Sequence, residues 1–133
     1  MRMMKSLVLG AVMAATAATA KPGLPAEKEI NAGLLVVAVA DKIRRECDSI
    51  SARLFTARAY LTDLKDRAAE QGYSEAEIDS YINNDVEKAK MRMKRNAYFK
   101  ARGASNLDPA SLCSLGREEI RKQSQIGLLL KAK

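Results

Sequence analysis

Two cysteines and no histidine bound the chemistry of this 133-residue chain. Histidine is the usual general base near neutral pH and the usual zinc ligand, so its absence removes the commonest hydrolytic and zinc-dependent routes. No Gly-x-Ser-x-Gly elbow, no Ser-x-x-Lys pair and no glycine-rich phosphate loop occurs. Cys47 and Cys113 lack the Cys-x-x-Cys spacing of a redox pair. An even cysteine count in an exported chain argues for a structural bridge, and two cysteines leave one connectivity. With both sulfurs bridged no thiolate remains, and an enzyme would have to run on carboxylates, lysines or tyrosines. Glu75, Glu77 and Asp79 invite a calcium reading, but they lack the alternating ligands and the glycine of a calcium loop. They read instead as acids placed at a helix start, where the dipole favours them. The expectation is no catalytic residue, no metal and no cofactor.

The bridge needs an oxidising compartment, and the first twenty residues supply the route to one. Arg2 and Lys5 open the chain, Leu7 to Met13 is apolar apart from Gly10, and Ala18-Thr19-Ala20 is a small-x-small cleavage site. The run is too short and alanine-rich to span hydrocarbon comfortably. A signal peptide over 1–20, cleaved after Ala20, and a periplasmic location are therefore expected. Its loss removes two bases and no acid, leaving 21 bases against 16 acids, a net +5. That excess suits an anionic membrane face or an acidic protein; nucleic acid is not expected outside the cytosol.

The elements that must bring the cysteines together are helical. Lys21 to Pro25, with two prolines and Gly23, reads as a flexible lead-in, and 26–133 as a single domain. A first helix is expected from Ala26 to Arg45, central in the domain because Leu34 to Ala40 is unbroken apolar sequence and no partner strand is evident. A second, Ile50 to Gln71, carries the seam Ile50, Leu54, Ala57, Leu61, Leu64 and Ala68. Gly72 ends it in the left-handed conformation. Ser74 and Glu77 form a capping box with Tyr73 and Ile78 at staple positions. A third helix is expected to run unbroken to Arg102, burying Ile78, Ile82, Val86, Ala89, Met93 and Ala97. Asp108-Pro109 opens a fourth, to about Gln123. The fold expected is an all-α four-helix bundle, closed by Cys113 on the fourth helix reaching Cys47 at the end of the first.

Two surfaces suggest a partner. Lys88, Arg92, Arg95 and Arg102 fall within about 80° on the third helix, with Tyr81 and Phe99 in the same sector. Such a stripe could grip phosphate head groups or an acidic protein; the bland alternative is a solvated face with its aromatics packed on a neighbour. The tail holds Ile126, Leu128, Leu129 and Leu130, either a last turn docked on the bundle or a hook for a partner. As a hook it would be removable without loss of fold.

The residues Gly72-Tyr73-Ser74 with Glu77-Ile78, Asp108-Pro109 with Leu112-Cys113, Leu115-Gly116-Arg117, Glu119-Ile120 and Ser124-Gln125-Ile126-Gly127 resemble a family of short secreted proteins of unknown function from Rhodobacter-like alphaproteobacteria. Cys47 matches that family's first cysteine. The shared motifs are capping and packing signals, and the family carries no established activity. Some members are labelled as respiratory NADH dehydrogenase subunits, which implies at most genomic company with that complex. No flavin, quinone or iron–sulfur motif accompanies the label here. The function expected is a non-enzymatic periplasmic accessory protein that docks on a protein partner, such as a respiratory membrane complex. The alternative is a periplasmic holdase-type chaperone exposing helix one and the tail. Nothing in the sequence fixes the oligomeric state.

Overall fold

A computed structural model describes residues 21–133; the expected signal peptide and its cleavage site lie outside the described residues. The fold is an all-α bundle with one small sheet: α1 (Lys28–Glu46), β1 (Ile50–Ala52), α2 (Leu54–Glu70), α3 (Glu75–Asn83), α4 (Asp85–Ala101), α5 (Pro109–Lys122), α6 (Gln125–Leu128) and β2 (Leu130–Ala132). A 3₁₀ turn, Leu24–Ala26, precedes α1. The apolar α1 is central, packing against α2, α4, α5, α6 and β1. Cys47 caps its C-terminal end and is joined to Cys113 of α5 with the Cα atoms 5.2 Å apart. The bridge expected from the cysteine count therefore closes the bundle as expected.

Local signals held where capping chemistry was explicit. Ser74 accepts from the Glu77 N–H while Glu77 accepts from the Ser74 N–H, and Tyr73 and Ile78 are both buried beside the box. Gly72 takes φ +95° and Asp108 caps α5.

Four expectations need correction. The lead-in is fastened: Lys21 Nζ donates to the Gly72 carbonyl at 2.6 Å, Tyr73 Oη accepts from the Gly23 N–H at 3.0 Å, and Leu24 is buried. The second helix begins only at Leu54, because Ile50–Ala52 pairs antiparallel with Leu130–Ala132 as a two-stranded sheet. The third helix is two. Asn84 accepts from the Glu87 N–H and so caps a new helix where an unbroken one was expected. The tail is no removable hook: Ile126, Leu129 and Leu130 belong to the main core with Val39, Ile43, Phe99 and Leu112.

Two glycines make this packing tight. A Cβ at Gly116 would stand 2.6 Å from Ile50 Cδ1 and 2.7 Å from Ile43 Cγ2, so α5 lies against α1 and β1 only without a side chain there. A Cβ at Gly127 would overlap the Glu119 carbonyl oxygen. This clash is with backbone, which cannot swing aside as a side chain would. Gly127→Ala is expected to destabilise the domain by about 3 kcal/mol in urea unfolding, the upper end of the usual cost of overpacking. Replacing both cysteines by alanine is expected to cost about 4 kcal/mol by the same measurement, the loop-closure value for a link of this span.

Candidate docking surface

The structure disperses the cationic stripe. Tyr81 lies on α3, half-buried, and donates its hydroxyl hydrogen bond to Asn31 of α1. Phe99 is in the core. Arg95 is 7 % exposed, its Nε and Nη2 donating to Asn96 Oδ1 at 3.1 Å each, with no carboxylate within 4 Å among the described residues. Burial lowers its pKa first, and the neighbouring Arg45 and Arg92 charges lower it further. Lys88, Arg92 and Arg102 are exposed. Of the row expected to be buried, Ile78 is buried and Ile82 half-buried, but beyond Asn84 Val86 is 63 % and Met93 72 % exposed. The physical reason is the break at Asn84: the helical phase carried from Ile78 does not survive it, so α4 packs through Arg95, Tyr98 and Phe99. Of the tail's four large aliphatics, only Leu128 remains exposed, at 46 %.

A different surface brings two large exposed apolar side chains together. Leu54 and Phe55, in the first turn of α2, are 60 % and 87 % exposed. They open a shallow cleft lined also by Ala52, Arg53, Thr56 and Lys131. Beyond Leu54 a second groove runs between α1, α2 and β2, with Val37, Ala57, Leu61, Leu129 and Leu130 in its wall and Arg58 along it. Arg44 and Asp41 border that groove, and Asp41 pairs with Arg44 at 2.6 Å and with Arg45 at 3.0 Å. No acid occurs from Ser49 to Thr62 or from Ile120 to Lys133, the two segments that build this end. Among the described residues no carboxylate lies within 4 Å of the basic groups of Arg53, Arg58 or Lys131.

The sheet and Arg53 hold the patch in place. The Arg53 N–H donates to the Leu129 carbonyl at 2.8 Å and its Nε donates to the Leu130 carbonyl at 3.1 Å. The start of α2 is thus clamped to the tail, and Leu54 and Phe55 project from a rigid junction. Sequence reasoning missed this site because Leu54 completed an apolar seam. A usable signal was present: α2 opens on Arg-Leu-Phe, with no acid in its first turn and no side-chain cap.

The most enclosed polar cluster is satisfied from within. Glu119 of α5 is buried; its carboxylate accepts from Tyr98 Oη at 2.7 Å and from Ser124 Oγ, and lies 3.8 Å from Arg102 Nε. The Arg102 guanidinium covers the Tyr98 ring at 3.4 Å. Ser124 also caps α6, so the cluster ties α4, α5 and the tail together. Among the described residues no group of three or more His, Cys, Asp or Glu is placed to hold a metal ion, and no helix is long and apolar enough to cross a membrane.

A model for a family of unknown function, DUF5333, matches residues 22–131. No curated protein and no solved structure matches the chain.

Tyr98 has a readable titration. Burial, then the hydrogen bond to Glu119, pushes the Tyr98 hydroxyl up to about 12. An unfolded tyrosine ionises near 10. The stabilisation is therefore complete below pH 10 and lost as pH rises from about 10 to about 12. Absorbance at 295 nm should show a late tyrosinate transition near pH 12 that Tyr98→Phe removes.

Proposed function

We propose that this chain, which belongs to the DUF5333 family of unknown function, is a non-enzymatic accessory protein of the periplasm that works by docking. The observation that carries the reading is the contrast between its two kinds of surface. The buried carboxylate of Glu119 has its hydrogen-bond and charge partners in the chain's own Tyr98, Ser124 and Arg102. The exposed end at Leu54 and Phe55 has large apolar side chains and bases without carboxylate partners. Exposed aromatic bulk rimmed by charge is the composition of an interaction surface.

Export is supported by the leader-like first twenty residues, by the resemblance to secreted alphaproteobacterial proteins and by the disulfide, which persists outside reducing compartments. The resemblance implies at most genomic company with a respiratory membrane complex. The holdase reading drew on helix one and the tail, whose large apolar side chains are mostly packed in or against the main core.

A photo-activatable phenylalanine analogue at position 55, in cells making the full chain, tests the docking reading. Cross-links to another molecule should form at position 55 and be absent with the same group at the exposed Ala69, far along α2. Equal cross-linking at both positions, or none at 55, would overturn it.

A further inference from the structure

We infer that the occupant of this end is the surface of an anionic phospholipid bilayer, with Phe55 and Leu54 entering the acyl boundary and Arg53, Arg58 and Lys131 meeting lipid phosphates. The inference rests on the docking reading and names its partner.

Three observations favour a bilayer over a folded acidic protein. First, the large apolar contribution at this cleft is two adjacent side chains at a helix start, 60 % and 87 % exposed. A stable protein interface buries about 800 Å² per partner around a central packed cluster, whereas a bilayer needs only a few inserted side chains and a basic surround. Second, the charges have the right sign and no internal competitor: both segments that form this end are free of acids, and the bordering Asp41 is occupied by Arg44 and Arg45. Phosphates of anionic lipids attract such bases over a Debye length without a fixed pairing geometry. Third, the insertion group is held by backbone. Arg53 N–H and Nε both bond carbonyls of the Leu129–Leu130 segment, so Phe55 and Leu54 need no reorganisation to present themselves. Among the described residues no helix can span a bilayer, which is compatible with a protein that lies on one.

Flotation of the oxidised 21–133 chain with vesicles tests the inference. Vesicles of phosphatidylglycerol and phosphatidylethanolamine should bind it, and pure phosphatidylcholine vesicles should bind it at least about tenfold more weakly. Phe55→Ser should weaken binding to the anionic vesicles about tenfold with an unchanged thermal melt, since the side chain is exposed. Arg58→Glu with Lys131→Glu should remove its salt sensitivity. Met93→Ser, on the exposed face of α4, should leave binding unchanged. Absence of binding to the anionic vesicles, equal binding to phosphatidylcholine, or equal loss in Met93→Ser would each overturn the inference. Protein cross-links at position 55 without vesicle binding would remove the lipid and keep the docking reading; failure of both experiments would remove both.

Discussion

The contact between α1 and α5 holds the remaining elements in place. The Cys47–Cys113 bond fixes it covalently, and Gly116 lets the helices approach until Ile43 and Ile50 lie where a side chain would stand. Once α5 is seated there, Glu119 faces Tyr98 on α4 and Ser124 at the start of α6. The chain then turns at Gln123, which takes φ +52°, and returns Leu129 and Leu130 to the core. That return places β2 beside β1 and clamps the first turn of α2. The bond between two cysteines 66 residues apart thus decides, through four successive contacts, where Phe55 points.

The tail shows why a run of aliphatic residues need not signal a partner. Three successive leucines cannot all face one groove of a helix, and here they do not try to. A single turn, Gln125–Leu128, gives way to a strand, and the change of period lets Leu129 and Leu130 both become buried while Leu128 stays half open. Backbone satisfaction explains the strand. The Leu129 carbonyl accepts from the Arg53 N–H and the Ser49 carbonyl from the Lys133 N–H. The chain end therefore acquires hydrogen-bond partners that a docked helix turn would have lacked.

What was legible in the sequence was whatever local chemistry dictates. The capping box at Ser74, the Asp108-Pro109 start, the left-handed Gly72 and the cysteine pairing are each set by two or three residues, and each is found where the residues predict it. The errors came from apolar periodicity carried across a hidden boundary. Ile78 to Met93 keeps helical spacing through Asn84, yet the asparagine side chain offers the Glu87 N–H a partner and restarts the helix. The face beyond the break is then chosen by tertiary packing, and Phe99 offers α1 more apolar surface than Val86 does. Likewise Ile50 to Ala52 is too short for a period to declare itself, and its partner strand lies 78 residues on. Nothing local could announce that pairing.

The candidate surface itself sits where the chain departs from its own habits. α3, α4, α5 and α6 each begin with a side-chain cap, and α1, which lacks one, has Glu29 in its first turn. Among the described α-helices α2 alone has neither, and Arg53 stands at its N-cap. A missing cap costs about 1 kcal/mol and a cation at the positive end of the dipole a few tenths more. Exposing Leu54 and Phe55 at the same turn forgoes burial that the core supplies to the other large aliphatics of α2. Each departure alone is small and common. Three departures converging on one turn, held rigid by two hydrogen bonds from Arg53, are hard to account for by stability. Local rules are most readily broken where a site must meet something outside the fold. An anionic surface would reverse the sign of every one of these costs: it favours the unpaired bases, complements the open helix start and gives the two apolar side chains somewhere to go.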